Sequence, residues 1–219
     1  MVLIGGIIID RIGTRVSTLI FTALCFLGAF VTFMGNDLVV MATGRLIFGL
    51  GAESMIVAIT TVIGRWFKGK QLSFAFGLNL TIARLGSFAA LNSPTWGRAF
   101  YESYKDPLFL ALIAGTISIV SAIIYFGMDF FAEKNYNLGS TSNQDKINFK
   151  EIFSFSRSYW FVVLLCVTFY SGIFPFQTFA VKFFMDVHGA TREYGGFLSS
   201  ILTLSAMILT TLFGLASDY

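Results

Sequence analysis

Six stretches of this chain are apolar for long enough to cross a lipid bilayer. A spanning helix needs about 20 mostly apolar residues, because the hydrocarbon core is ~30 Å thick and a helix rises ~1.5 Å per residue. Val16–Met34, Leu38–Ile63, Leu72–Ser93, Leu108–Met128, Tyr159–Val181 and Phe197–Gly214 meet that length. Only 12% of the 219 residues are charged, against roughly a quarter in an ordinary soluble domain. There are too few charges to coat a water-facing surface, so the chain reads as an all-α membrane protein. Val2–Ile9 is apolar but too short to span, and reads as the tail of a helix begun earlier. No basic segment precedes it, which argues against a signal peptide.

Other classes find little support. A sequence pI near 8.9 suits nucleic acid only when the basic residues share one face, and here they lie in short loops between apolar runs. Cys25 and Cys166 sit deep in apolar runs and read as small hydrophobes. His188 has no second His or Cys nearby, so no metal site is expected. No nucleophile elbow, phosphate-binding loop or zinc-protease motif occurs, and an enzyme is not expected. The glycines from Gly44 to Gly51 sit in a hydrophobic stretch, and read as small residues that let helices pack.

The loops set the orientation. Arg11, Arg15, Arg65, Lys68, Lys70, Lys134, Lys146, Lys150 and Arg157 fall on one side. Only Arg98, Lys105, Lys182 and Arg192 fall on the other. The positive-inside rule puts the richer side in the cytoplasm. A long polar segment, 129–158, then becomes a cytoplasmic linker between two groups of spans, with Lys146–Phe153 as a short amphipathic helix at the interface.

Three ionisable residues fall inside spans: Arg45, Glu53 and Arg84. A charge near the bilayer centre costs at least ~2.5–3.5 kcal/mol, so each is a functional candidate. Counted from the cytoplasmic hairpin Gly64–Gln71, Glu53 and Arg84 lie at depths differing by only about 3 Å, near the midplane. Facing water, a carboxylate and a guanidinium at one height suit the two ends of a zwitterion; mutual neutralisation of the pair is the plainer alternative. Thr81 and Ser87 extend a polar stripe on the helix of Arg84. Arg45 either shapes a polar network near the outer side or snorkels to the interface. In the fifth span, Pro175 is expected to kink the helix, and Tyr170, Phe174 and Gln177 are expected to line a cavity beside it.

The first turn carries Gly6-x-x-x-Asp10-Arg11-x-Gly13-x-Arg15. Gly214-x-x-x-Asp218 repeats its start at another cytoplasmic helix end, beyond the linker. Parallel half-repeats joined this way characterise one transporter architecture, and the fuller copy resembles the signature of the major facilitator superfamily. Physically, Gly6 admits a neighbouring helix, Gly13 permits a tight turn, and Asp10 is suited to meet a helix N-terminus and the adjacent arginines as a cytoplasmic latch. Arg45 with Gly49 resembles the family's pattern on its fourth helix. On this resemblance the chain is a fragment running from the end of helix two to the end of helix eight. Residues 1–128 close the N-terminal half, 129–158 form the linker and 159–219 open the C-terminal half.

Three further runs, Gly44–Ser54, Arg65–Lys70 and Phe76–Ser87, together with Phe174-Pro-Phe176 and Lys182-Phe-Phe184, resemble one branch of that family, the lysosomal dipeptide uniporters and their bacterial relatives. The branch implies that Glu53 holds the peptide amine and Arg84 its carboxylate. It implies alternating access in a bacterial inner membrane or a lysosomal membrane, with no cofactor, no ATP and no nucleic acid. In the lysosomal case it implies an accessory single-pass membrane glycoprotein. Two other functions stay open: transport of another solute, such as an organic anion held by Arg84 and Arg45, and a non-transporting receptor or scaffold on the same fold.

Overall fold

The computed structural model describes residues 2–67, 71–103, 105–135 and 155–217. Among them the order is α1 (Val2–Ile12), α2 (Thr14–Met34), α3 (Leu38–Trp66), α4 (Leu72–Leu91), a short α5 (Ser93–Trp96), a 3₁₀ turn (Arg98–Tyr101), α6 (Asp106–Asn135), α7 (Arg157–His188) and α8 (Arg192–Ser217). The helices α2, α3, α4, α6 as far as Ala132, and α7 are long and apolar enough to cross a membrane. The sixth expected span lies within α8. The amphipathic segment expected over Lys146–Phe153 lies outside the described residues.

The helix ends follow local chemistry. Gly13 separates α1 from α2 at φ 84°, a conformation that costs glycine nothing and other residues a steric clash. At the end of α7, Gly189 adopts φ 64°, and the N–H groups of Gly189 and Ala190 donate to the carbonyls of Met185 and Phe184 at 3.1 Å each. The helix of α7 continues through Pro175. That of α6 continues past the apolar run, through Asp129 to Asn135.

The chain divides into two compact units. One comprises Met1–Asn79, Gly97–Ser140 and Leu212–Tyr219; the other comprises Leu80–Trp96 and Thr141–Thr211.

In the first unit α2 is the central element, packed on α3 and α6. Its buried side includes Thr14, Thr18, Phe21, Gly28 and Thr32. Successive steps of three and four residues, with Cys25 completing the series, keep one stripe against a neighbour over the helix length. Apart from Phe21 the stripe is small rather than bulky, which suits association in lipid, since apolar bulk gains nothing over lipid tails there. Three of its buried hydroxyls are satisfied within their own helix: Thr18 donates to the Thr14 carbonyl (2.7 Å), Thr22 to Thr18 (2.8 Å) and Thr32 to Gly28 (2.8 Å).

Across from this stripe lie Gly44, Gly51 and Ala58 of α3, all buried. The glycine-rich run is therefore a packing surface. A Cβ on Gly28 would fall 2.3 Å from the Phe48 backbone nitrogen, and one on Gly44 2.6 Å from that of Thr32. Both clashes are with backbone, so the helices themselves must separate. Gly28→Ala is expected to destabilise the bundle by about 1–3 kcal/mol. Gly49→Ala on α3, whose Cβ would meet nothing within 4 Å, should leave stability unchanged or slightly raised. Thermal melts of the two variants in detergent check this, and equal melting points would refute it.

Candidate functional site

In the second unit α8 reaches its neighbours through a glycine pair. A Cβ on Gly196 would lie 2.4 Å from the Leu91 carbonyl oxygen of α4, and one on Gly195 would lie 3.3 Å from the Val181 carbonyl oxygen of α7. Close backbone approach at one end leaves room further along, where the three helices border a partly open cavity of about 300 Å³. This is near the lower bound for small-molecule sites.

Its polar lining is Arg84 and Ser87 from α4, Gln177 from α7, and Ser199 and Thr203 from α8. Its apolar wall includes Phe176, Ala180 and Leu202. Each polar pair sits three or four residues apart on its helix, so each helix presents one face. The half-buried Arg84 and Gln177 have no hydrogen-bond or ion-pair partner among the described residues of this unit. An arginine without a counter-charge, beside an amide and a void, is a ready acceptor site for a carboxylate.

The other expected substrate residues are placed differently. The Thr81 hydroxyl donates to the Met207 carbonyl of α8 at 3.2 Å, tying α4 to α8. Tyr170 and Phe174 stack on each other, with centroids 5.1 Å apart and planes at 15°, and both are exposed rather than part of the cavity lining. Of the three α7 candidates only Gln177 faces the void. Glu53 belongs to the first unit, where it lies near the middle of α3, exposed and without a hydrogen-bond or ion-pair partner among that unit's described residues. Arg45 is exposed and borders a small recess of about 90 Å³ with Thr32 and Phe48.

The signature turn is also in the first unit. Asp10 and Arg11 are exposed, Gly6 has nothing within 4 Å of an added Cβ, and Gly13 forms the break between α1 and α2. The carboxylate that meets Arg15 is Asp129 of α6, at 2.5 Å from the guanidinium Nε. Asp129 is fully buried and also accepts the Trp66 indole N–H at 3.3 Å. Arg15 lies over the Phe130 ring at 5.8 Å, and Arg65 donates to the Thr14 hydroxyl at 2.5 Å. The ends of α2, α3 and α6 are thus joined by a polar cluster. Gly214 lies within α8, and Asp218, the partner copy's acid, lies outside the described residues.

Asp129, Ser199 and Thr203 were not singled out by the sequence. Asp129 directly follows an apolar run, which makes it look like the start of a loop. The α8 hydroxyls are two among several in a membrane-length segment. The usable signal was their spacing of four on one helix face.

Membrane-length helices, and an arginine with no counter-charge among the described residues of its unit beside a polar recess, define a membrane-embedded protein with a site suited to a small polar solute. The sequence model of the Major Facilitator Superfamily matches residues 1–219, and the chain belongs to that family. It is a multi-pass integral membrane protein. It is 31% identical over 227 residues to the lysosomal dipeptide transporter MFSD1 of Bos taurus, covering 98% of this chain and 48% of the relative. The Mus musculus protein of that name is 32% identical over 228 residues, covering 98% and 49%. The nitrate/nitrite transporter NrtP of Nostoc punctiforme is 24% identical over 128 residues, covering 57% of this chain and 25% of the relative. The chain spans about half the length of the MFSD1 relatives it matches. No solved structure matches it.

Proposed function

We propose that the complete protein carries small zwitterions, dipeptides above all, across a membrane by alternating access. Arg84 takes the substrate carboxylate and Glu53 its ammonium group. The observation that carries this reading is Arg84, with no partner among the described residues of its unit, at the wall of a cavity it shares with Ser87 and Gln177. A guanidinium placed in a membrane-spanning helix without a counter-charge stays costly until a ligand supplies one, so binding an anion there recovers energy. The names of the MFSD1 relatives support the choice of dipeptide. In the same reading 1–128 and 159–219 belong to two halves that rock about the site, joined by the linker, and in the lysosomal case an accessory single-pass membrane glycoprotein would co-purify from native membranes.

A second reading rests on the chemistry of the cavity, whose lining contains a cation and no acid. Such a recess suits an organic anion, with Glu53 uninvolved. Uptake into proteoliposomes by the complete protein separates the two. For a dipeptide carrier, Glu53→Gln lowers dipeptide uptake about tenfold or more, because a charge-assisted bond to the ammonium is lost, and monocarboxylates compete poorly. Unchanged dipeptide uptake by Glu53→Gln, with strong competition from monocarboxylates, would favour the anion. No flux of either solute would leave only a receptor or scaffold.

A further inference from the structure

We propose that Ser199 and Thr203 of α8 make the Arg84 cavity selective for a carboxylate that has an amide N–H beside it, and so for peptides over their ester isosteres. The proposal rests on the reading of Arg84 as the carboxylate site. A serine or threonine hydroxyl has one proton to donate and two lone pairs. Both α8 hydroxyls have already committed that proton. Ser199 Oγ donates to the Gly195 carbonyl at 2.8 Å, and Thr203 Oγ1 donates to the Ser200 carbonyl at 2.7 Å. Ser87 Oγ does the same toward Ala83 at 3.4 Å. Turning such a proton toward a ligand only exchanges the intrahelical bond for another, whereas accepting a ligand N–H uses a lone pair that is already free. To a ligand these residues therefore act as acceptors.

Among the lining residues the donors are Arg84 and the Gln177 amide. The recess therefore offers a cationic donor on the α4 side and hydroxyl acceptors on the α8 side, with Phe176, Ala180 and Leu202 as an apolar wall. The C-terminal residue of a peptide has the matching polarity. It carries a carboxylate, a side chain, and one carbon away an N–H. A simple monocarboxylate satisfies Arg84 and leaves the acceptors unmet. An ester analogue is worse, because its bridging oxygen sets lone pairs against lone pairs. A site built to hydrogen-bond a group discriminates against the analogue lacking it, since its own buried polar atoms are left unpaired.

The test is competition for uptake by the complete protein in proteoliposomes, comparing alanyl-alanine with alanyl-lactate, which differ only in N–H against O. Wild type should prefer the amide by roughly ten- to a hundredfold. In a Ser199→Ala/Thr203→Val double variant the ratio should fall toward one, and Thr203→Ser should keep it. A wild-type ratio near one overturns the proposal without any variant, and so does an unchanged ratio in a folded double variant. If Arg84→Ala still carries the dipeptide, the carboxylate reading fails and the proposal with it. Dipeptide uptake that needs Arg84 but ignores the ester substitution sinks the proposal alone.

Discussion

Arg84→Ala, made in the complete protein, is expected to bring dipeptide uptake down by a hundredfold or more while leaving expression and melting temperature close to wild type. A guanidinium grips a carboxylate through two parallel charge-assisted hydrogen bonds, and losing such a pair costs about 3 kcal/mol or more, roughly two powers of ten. The melting temperature should hold because Arg84 has no ion-pair partner among the described residues of its unit, so its removal orphans no carboxylate there. Arg84→Lys keeps the charge but not the fork, and should retain a fraction of the activity between the two. Proteoliposome uptake alongside a detergent melt separates a binding loss from a folding loss. Wild-type uptake by the alanine variant would remove Arg84 from the substrate site.

The second large effect concerns stability. Asp129 is fully buried, while Arg15 is 19% exposed and joined to it at 2.5 Å. Arg15→Ala strips the buried carboxylate of its ion-pair partner and leaves, among the described residues, the Trp66 indole donating to it. Removing one member of a buried pair typically costs 3–5 kcal/mol, and the partial exposure of Arg15 sets the expectation near about 3 kcal/mol. A fall of several degrees in the melting temperature should follow. Replacing both residues, Arg15→Leu with Asp129→Leu, should restore much of the loss, since no charge then remains buried alone. If Arg15→Ala melts with wild type, the pair is not holding α2 to α6.

This pair shows where sequence reasoning reached its limit. The signature turn was legible from Gly6, Asp10, Arg11, Gly13 and Arg15, because a fixed spacing of small and charged residues at a helix end has few other uses. The natural acid for those arginines was Asp10, five residues from Arg15. The acid in contact is 114 positions away, at the end of an apolar run whose helix continues beyond the point where the hydrophobic residues stop. Helices end where their backbone hydrogen bonds end, and a buried, paired aspartate need not interrupt them.

The cavity has a similar history. Arg84, Ser87 and Gln177 were each identifiable by type, as polar groups inside segments that should hold none. Tyr170 and Phe174 looked equally suited, being on the same helix as Gln177. They share that face with Gln177 at i, i+4, i+7 spacing, but Tyr170 lies about 10 Å and Phe174 about 5 Å away along the helix axis, outside the level at which α7 meets the recess. Ser199 and Thr203 carry no signal in the sequence, since hydroxyls are common in membrane helices and become informative only when they share a recess with an arginine.

By itself the sequence determined the membrane class, the membrane-length helices and the glycine stripe, because each depends on local quantities: run length against bilayer thickness, and residue size at helical spacing. Tertiary structure alone decided which polar groups converge. That choice depends on the rotation of each helix about its axis and on backbone approaches such as Gly196 against Leu91. Both are set by packing between segments distant in the chain, which no local pattern records.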